Sequence, residues 1–199
     1  GGDPVLPLIY GTDLTWQSAL ILTRQGDSLA IVGHFEAEAA RQLGAYAEVI
    51  AYHEAFSPHL KAAIERFNPN QIAINYSTND VLADGLSVGL YRLLQDYLKD
   101  TSYLDRFVSA EHIISALRGR KTPTEVERIR TAIDTTRQIY ERTFNLLTPG
   151  ITERQLANFM HSELQKRGLN AAWDATHCPA VHTGPDSPVG HISPGEFVV

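Results

Sequence analysis

The sequence predicts an α/β (α+β) fold made of two consecutive domains. Up to about residue 110, short runs of β-favouring apolar residues alternate with segments of helical period. Two amphipathic helices with strong start signals then follow in direct succession. The final stretch, residues 173–199, is instead rich in proline, glycine and histidine. These changes predict a boundary near residue 115, which gives one domain at residues 1–115 and a second at residues 116–199.

The first domain is predicted to open with a β-hairpin. Residues 19–23 and 29–33 are short apolar runs joined by a polar, glycine-containing connection, which favours antiparallel pairing. A short helix over residues 36–43 is expected to end at Gly44, because glycine readily adopts the positive φ that closes a helix. Residues 47–52 form the predicted third strand.

The rest of the first domain alternates helices with strands. Ser57 is predicted to cap a helix whose first turn contains Pro58. The alternation of apolar and polar residues over 71–76 predicts a half-buried strand. A helix over residues 85–98 and a short strand over residues 106–110 complete a predicted mixed sheet flanked by helices.

Two capping boxes mark the helices that open the second domain. Thr122 and Glu125 form a Thr-x-x-Glu box with Pro123 at the first helical position, and Thr152 and Gln155 repeat the arrangement. The first of these helices is expected to turn an apolar face toward a core, since its apolar residues recur at helical spacing. Those residues are Val126, Ile129, Ile133, Tyr140, Phe144 and Leu147.

The composition and charge argue against several classes of protein. Seventeen Lys and Arg residues against 23 Asp and Glu residues give a net charge of −6, and no basic cluster is long enough to follow a nucleic acid backbone. No apolar run approaches the roughly 20 residues that cross a bilayer, and residues 1–7 do not resemble a secretory leader. The single Cys178 cannot form an internal disulfide. We therefore expect a cytoplasmic protein without nucleic acid or membrane partners.

Three histidines, His177, His182 and His191, lie in the proline- and glycine-rich stretch. Together with Cys178 they match no zinc spacing, and no serine or carboxylate is placed to complete a catalytic triad. His177 and His182 are expected to satisfy hydrogen bonds within the loop. For His191 the residues alone leave a functional and a structural role equally open, although Gly190 would let the backbone approach a ligand.

The last residues, 196–199, predict the beginning of a strand, with no later segment in the sequence to pair with it or cap it. We therefore expect the sequence to break off within a domain.

Three motifs, taken in their order along the chain, resemble those of the pita-bread metallopeptidases. They are KTPTEVERIR at residues 121–130, the link PGITE at residues 149–153 and the loop GPDSPVGH at residues 184–191. The family includes aminopeptidase P, prolidase, methionine aminopeptidase and creatinase. The run YGTDLTWQSALILTRQGDSLAIVGHFEAE at residues 10–38 is also similar to the creatinase-type N-terminal domain, which favours the aminopeptidase P and prolidase branch.

The resemblance implies a creatinase-type N-terminal domain followed by the first part of a pita-bread catalytic domain. It implies a metallopeptidase that hydrolyses the bond before proline in short peptides, as an aminopeptidase or a dipeptidase, and that forms a homodimer. Two divalent metal ions, Mn, Co or Zn, are expected in the full-length protein, held by two Asp, one His and two Glu that lie beyond Val199. The present fragment is expected to bind no metal and to be inactive.

His191 is the one residue to which the resemblance assigns a catalytic role. In the family, the corresponding loop histidine contacts the substrate or its tetrahedral intermediate, so His191 is expected to donate a hydrogen bond to the developing oxyanion or its neighbour. Two alternatives stay open. One is a metal-independent, creatinase-like hydrolase that depends on the loop histidine, and the other is a non-catalytic binding protein of the same fold.

Overall fold

The computed structural model describes residues 3–199, which form two compact units, one up to Arg120 and one from Lys121 onward. No helix among these residues is both long enough and apolar enough to span a bilayer. The elements of the first unit are, in chain order, α1 (Leu6–Ile9), β1 (Ala19–Leu22), β2 (Ser28–Gly33), α2 (Ala37–Leu43), β3 (Glu48–Tyr52), α3 (Ser57–Phe67), β4 (Ile72–Ile74), α4 (Val88–Leu98), β5 (Phe107–Ser109) and α5 (Glu111–Gly119).

A three-stranded mixed sheet lies at the centre of the first unit. Strand β2 pairs antiparallel with β1 and parallel with β3. The predicted hairpin, the mixed sheet and the α/β class are therefore confirmed. Strands β4 and β5 differ from the expectation of a single sheet, because they pair with each other, in parallel, in a separate two-stranded sheet.

Helices cover both faces of the three-stranded sheet. Leu29 and Ile31 of β2 are buried in one cluster with residues of α3 and α4. Ala30 and Val32, which alternate with them and point to the opposite face, are buried in a second cluster with residues of α2. The first unit is thus a three-layer arrangement with β2 at its centre.

The end of α2 is set by a local sequence signal, whereas the start of α3 is set by packing. Gly44 ends α2 with a φ of 68°, as predicted. Ser57, by contrast, does not cap α3: it is the first helical residue, and Phe56 occupies the cap position without a side-chain hydrogen bond. Phe56 already has helical dihedral angles and is buried in the core, so its packing replaces a polar cap.

The second unit begins with α6 (Pro123–Phe144) and α7 (Glu153–Lys166), and both predicted capping boxes are confirmed. In each box the threonine hydroxyl oxygen accepts a hydrogen bond from the backbone N–H three residues on. The side chain of that residue in turn accepts one from the threonine N–H. These reciprocal bonds satisfy two of the donors that a helix start leaves without partners.

The predicted burial of the apolar face of α6 is wrong. Ile133 is 54% exposed and Phe144 is 61% exposed, and Ile129 and Tyr140 are also exposed. The buried residues of α6 are Ile139 and Thr143, near its C-terminal end. Position around the helix, and not position along it, separates the two sets: Ile139 and Thr143 are four residues apart and share a face, whereas Tyr140 and Phe144 lie on the neighbouring face and stay exposed.

A buried carboxylate joins α6 to α7. Glu163 of α7 has no exposed side-chain surface and lies 2.7 Å from Arg142 of α6. It also forms ion pairs with Lys166 at 2.8 Å and with Arg167 at 2.7 Å. Three cations around one carboxylate offset the cost of removing that charge from water, which fixes the pairing of the two helices.

After α7, residues 167–199 run without a further helix and return to the start of that helix. The predicted strand at residues 196–199 is reduced to a single antiparallel bridge between Thr152 and Val198. Val199 N–H donates to the Ile151 carbonyl at 3.1 Å, and Glu153 N–H donates to the Phe197 carbonyl at 3.0 Å. Residues 150–153 are thus the partner of this segment in the described chain.

Candidate functional site

His191 lies in the loop that follows α7, and its side chain is exposed. Gly190 precedes it with a φ of 150°, a backbone conformation that favours glycine. The ring is therefore accessible at the surface and is not buried in an apolar interior. An exposed imidazole can donate or accept a proton or a hydrogen bond, which is the minimum requirement for the role expected of it.

The segment from Thr183 to Gly195, which we call the His191 loop, is held by a single carboxylate, that of Glu153. The Oε1 atom of Glu153 accepts hydrogen bonds from Thr183 N–H at 2.9 Å and from the Ser187 hydroxyl at 2.5 Å. Its Oε2 atom accepts from Gly195 N–H at 2.9 Å. The Thr183 hydroxyl adds a longer contact of 3.4 Å. Both ends of the His191 loop thus converge on one side chain.

The Glu153 carboxylate is fully buried, and its neighbours favour the charged form. Burial by itself raises the pKa of this carboxyl. The hydrogen bonds from Ser187, Gly195 and Thr183 outweigh that effect, so that the pKa lies below its ordinary value. Every polar contact described for the carboxylate comes from a group that donates to it. We conclude that Glu153 is an anion in the folded unit at neutral pH.

His182 makes the hydrogen bond that the sequence led us to expect. Its Nε2 lies 3.1 Å from the carbonyl oxygen of Gly190, to which it donates. This contact holds the peptide group directly before His191. His182 therefore supports the His191 loop, and its Nε2 is hydrogen-bonded to a backbone carbonyl.

His177 and Cys178 also have local roles. The Nδ1 atom of His177 lies 2.8 Å from the Thr176 hydroxyl, and its carbonyl accepts a hydrogen bond from the Trp173 indole N–H at 3.1 Å. Cys178 is half-buried, and its carbonyl accepts from the ring of His161. These contacts confirm that His177 satisfies hydrogen bonds within its own segment.

An apolar cleft of about 320 Å³ lies beside the His191 loop within the second unit. Its lining consists of residues of α6, buried residues of α7, the segment at 179–184, and Leu147 and Val199. Thr183, the first residue of the His191 loop, and His182, which supports that loop, both belong to this lining. The cleft offers apolar contacts close to that loop.

Residues 3–199 contain no group of three or more His, Cys, Asp or Glu side chains arranged to hold a metal ion. The donors present therefore do not fit a metal pair, and we derive no chemical step through one.

Sequence reasoning assigned no role at this site to Glu153 and Ser187. Glu153 is the glutamate of the PGITE link, and Ser187 is the serine of the GPDSPVGH loop. Both motifs were recognised, but nothing in their spacing shows that the two side chains meet across 34 residues. The signal that could have found the pair is a glutamate at a helix start together with a later loop rich in potential donors.

The chain was compared with known proteins by sequence and by structure. No family model matches the chain. A curated protein of Staphylococcus saprophyticus, named as an uncharacterised peptidase, is 25% identical over 152 residues, which is 76% of this chain and 39% of that protein. An X-Pro aminopeptidase from Thermotoga maritima matches with a TM-score of 0.58 and 18% identity, over 99% of this chain and 51% of its own. An Xaa-Pro dipeptidase from Bacillus anthracis matches with a TM-score of 0.61 and 14% identity, over 100% of this chain and 51% of its own.

The chain has the fold of the Xaa-Pro peptidases. A prolidase from Pyrococcus horikoshii agrees, with a TM-score of 0.51 and 17% identity over 83% of this chain and 42% of its own. The resemblance to the aminopeptidase P and prolidase type is thereby confirmed as far as the fold is concerned. The chain spans about half the length of the two Xaa-Pro peptidases above and 39% of the curated relative.

Proposed function

We propose that a longer protein containing this chain is a metal-dependent Xaa-Pro peptidase, which hydrolyses the bond before proline in short peptides. The observation that carries this proposal is the match of the whole chain, 99% and 100% of its length, to an X-Pro aminopeptidase and an Xaa-Pro dipeptidase. A cytoplasmic location and a homodimer formed through a creatinase-type domain at residues 1–115 belong to the same proposal. Residues 116–199 would begin the catalytic domain.

His191 is proposed as the catalytic residue that this chain contributes. Its ring would donate a hydrogen bond to the oxygen of the scissile carbonyl, on which negative charge develops during attack by water. Two observations support this role: the ring is exposed, and the His191 loop is held at both ends by a buried carboxylate. A donor held in place before the reaction stabilises such charge better than a mobile one.

Two divalent metal ions, Mn, Co or Zn, are part of the proposal for the longer protein. Such ions would supply an activated water and stabilise the charge on the substrate. By the resemblance to the pita-bread metallopeptidases, their ligands would be two Asp, one His and two Glu beyond Val199. We accordingly expect the 199-residue chain alone to be inactive on Xaa-Pro peptides.

The test is hydrolysis by the longer protein, purified in EDTA and then assayed with and without Mn²⁺, Co²⁺ or Zn²⁺. Substrates are an Xaa-Pro dipeptide, an Xaa-Pro-Yaa tripeptide and the matching alanine peptides. We expect metal-dependent cleavage of the proline peptides only. Cleavage that persists in EDTA would favour the creatinase-like alternative. Absence of cleavage together with absence of tight Mn²⁺ binding in calorimetry would favour a non-catalytic protein.

The role of His191 is tested in the same protein by His191→Ala. Loss of one donor to an oxyanion lowers kcat by about 10²- to 10³-fold, with a much smaller change in KM. The matched control is His112→Ala, since His112 is exposed on α5 in the first unit. A His191→Ala enzyme as active as the control would remove His191 from the mechanism.

A further inference from the structure

We propose that Glu153 is a positioning residue for His191: its buried carboxylate holds the two ends of the His191 loop together and so sets where the His191 ring lies. This inference rests on the proposed function in so far as His191 acts on a substrate. The placement of the loop by Glu153 can, however, be measured in the chain itself, without any substrate.

The geometry of the hydrogen bonds carries the inference. Thr183 and Ser187 bind Oε1 on the upstream side, and Gly195 binds Oε2 on the downstream side. His191 lies midway between Ser187 and Gly195 in the sequence. A short segment tied at both ends to one rigid group has far fewer conformations than a free one.

The anchor itself is rigid. Glu153 is the first residue of α7, and its side chain has no exposed surface. Two backbone hydrogen bonds also hold the downstream end of the His191 loop and the residues after it at the start of α7. Arg154 N–H donates to the Gly195 carbonyl at 3.0 Å, and Glu153 N–H donates to the Phe197 carbonyl at 3.0 Å. The His191 loop therefore takes its position from the start of α7.

A second support acts on the peptide next to His191. The ring of His182 donates to the Gly190 carbonyl at 3.1 Å, and Gly190 has a φ of 150°. No atom lies within 4 Å of a Cβ built at Gly190, so the conformation rather than a lack of space calls for glycine there. Together with Glu153, these contacts act on the middle and on both ends of the His191 loop.

Both carboxylate oxygens of Glu153 must accept hydrogen bonds, so replacing Glu153 with glutamine tests this requirement. A glutamine offers one carbonyl oxygen and one NH₂ group, which only donates. In one orientation of the amide, NH₂ faces the backbone N–H of Gly195, and in the other it faces that of Thr183. The Ser187 hydroxyl can turn to accept, but neither backbone N–H can. Glu153→Gln must therefore break the side-chain hydrogen bond to the backbone N–H at one end of the His191 loop while changing the side-chain volume little.

The experiment is NMR on the 199-residue chain, with amide hydrogen exchange and the ring signals of His191 as readouts. We expect Glu153→Gln to speed exchange at Thr183 or Gly195 by about 10-fold or more, since a bond to a charged acceptor is lost. The His191 ring signals should shift or broaden, while amides in α6 and α7 keep their protection. The matched control is Glu127→Gln, since Glu127 is exposed on α6, and its spectra should coincide with those of the parent chain.

A second variant covers the case in which Glu153→Gln does not fold. Ser187→Ala removes one donor and leaves the carboxylate in place, so it should shift the His191 ring signals in the same direction with a smaller effect on exchange. Unchanged His191 signals in a folded Glu153→Gln chain, or in Ser187→Ala if the first variant is unfolded, would overturn the proposal.

The functional readout uses the longer protein and a double-mutant cycle. If Glu153 acts through His191, Glu153→Gln should lower kcat more than it changes KM, and it should have little further effect on kcat in a His191→Ala background. Equal losses in both backgrounds would mean that Glu153 supports the fold in general, which contradicts the inference. Should the longer protein hydrolyse no peptide, the proposed function fails, and the NMR result still decides whether Glu153 places the His191 ring.

Discussion

The charge of Glu163 links α7 to α6 through its ion pair with Arg142. Hydrogen bonds from Arg167 and Lys166, together with the charge of Arg142, outweigh the effect of burial and lower the pKa of its carboxyl from 4.5 to about 2. The group is thus more acidic in the folded unit than in the unfolded chain. Its stabilising effect is complete above pH 4.5 and is lost as the pH falls from there toward 2.

The lowered pKa of Glu163 predicts how the stability of the chain changes in acid. The free energy of unfolding of the chain should fall between about pH 4.5 and pH 2, and Glu163→Gln should fall less over the same window, because glutamine does not titrate. At pH 7 the variant should be less stable than the parent chain, since three cations lose their partner. Denaturant unfolding at several pH values measures both effects. Parallel pH curves for parent and variant would contradict the assignment.

The difference between Glu163 and Glu153 shows what a residue type cannot reveal by itself. Glu163 is surrounded by cations, whereas Glu153 receives hydrogen bonds from the Thr183, Ser187 and Gly195 groups. Both are glutamates of α7 with no exposed surface. Their partners decide that one joins two helices and that the other holds a loop.

At the scale of elements, α6 has one buried position that carries an isoleucine and an apolar face that is exposed, and two isoleucines test the difference between them. Ile139 is 3% exposed and Ile133 is 54% exposed. Ile139→Ala should cost about 2–4 kcal/mol of unfolding free energy, because it leaves a cavity in a packed contact. Ile133→Ala should change stability by about 0.5 kcal/mol or less, because little burial is lost and alanine favours helix.

Denaturant unfolding of both variants measures the difference, and each serves as the other's control. They delete the same atoms from the same helix, so propensity effects largely cancel. Equal costs would show that the exposed face of α6 is covered in solution, which would contradict the burial described for the chain.

At the scale of the molecule, the two units differ in how much core they possess. The first unit has three buried apolar clusters, all formed by residues before Lys121. The second unit buries few large apolar side chains, chiefly Ile139, Leu156 and Met160. Since stability depends on the apolar area removed from water, the units should differ in stability when separated.

We therefore expect residues 1–120, produced alone, to unfold cooperatively, and residues 121–199, produced alone, to be marginal. Circular dichroism during thermal unfolding, together with the dispersion of amide signals in NMR, measures this. A second unit that unfolds as cooperatively as the first would show that its few buried contacts and the Glu163 ion pairs are sufficient.

The sequence by itself determined the features that depend on near neighbours along the chain. Both capping boxes are closed between residues three apart, the end of α2 depends on Gly44, and the hairpin depends on a short connection between two apolar runs. Periodicity also predicted the α/β class, because alternation and helical spacing are local properties. The motifs that pointed to the fold are likewise contiguous runs.

Only the tertiary structure decided the features that need distant partners. The apolar spacing of α6 predicted a buried face, but burial depends on a covering element, and the face that is buried carries Ile139 and Thr143 while Tyr140 and Phe144 beside them stay exposed. Glu153 meets Thr183 and Gly195 across 30 and 42 residues, so no local rule indicates that the start of α7 holds the His191 loop. A hydrogen bond is a contact in space, and separation along the chain does not determine which groups come within its reach.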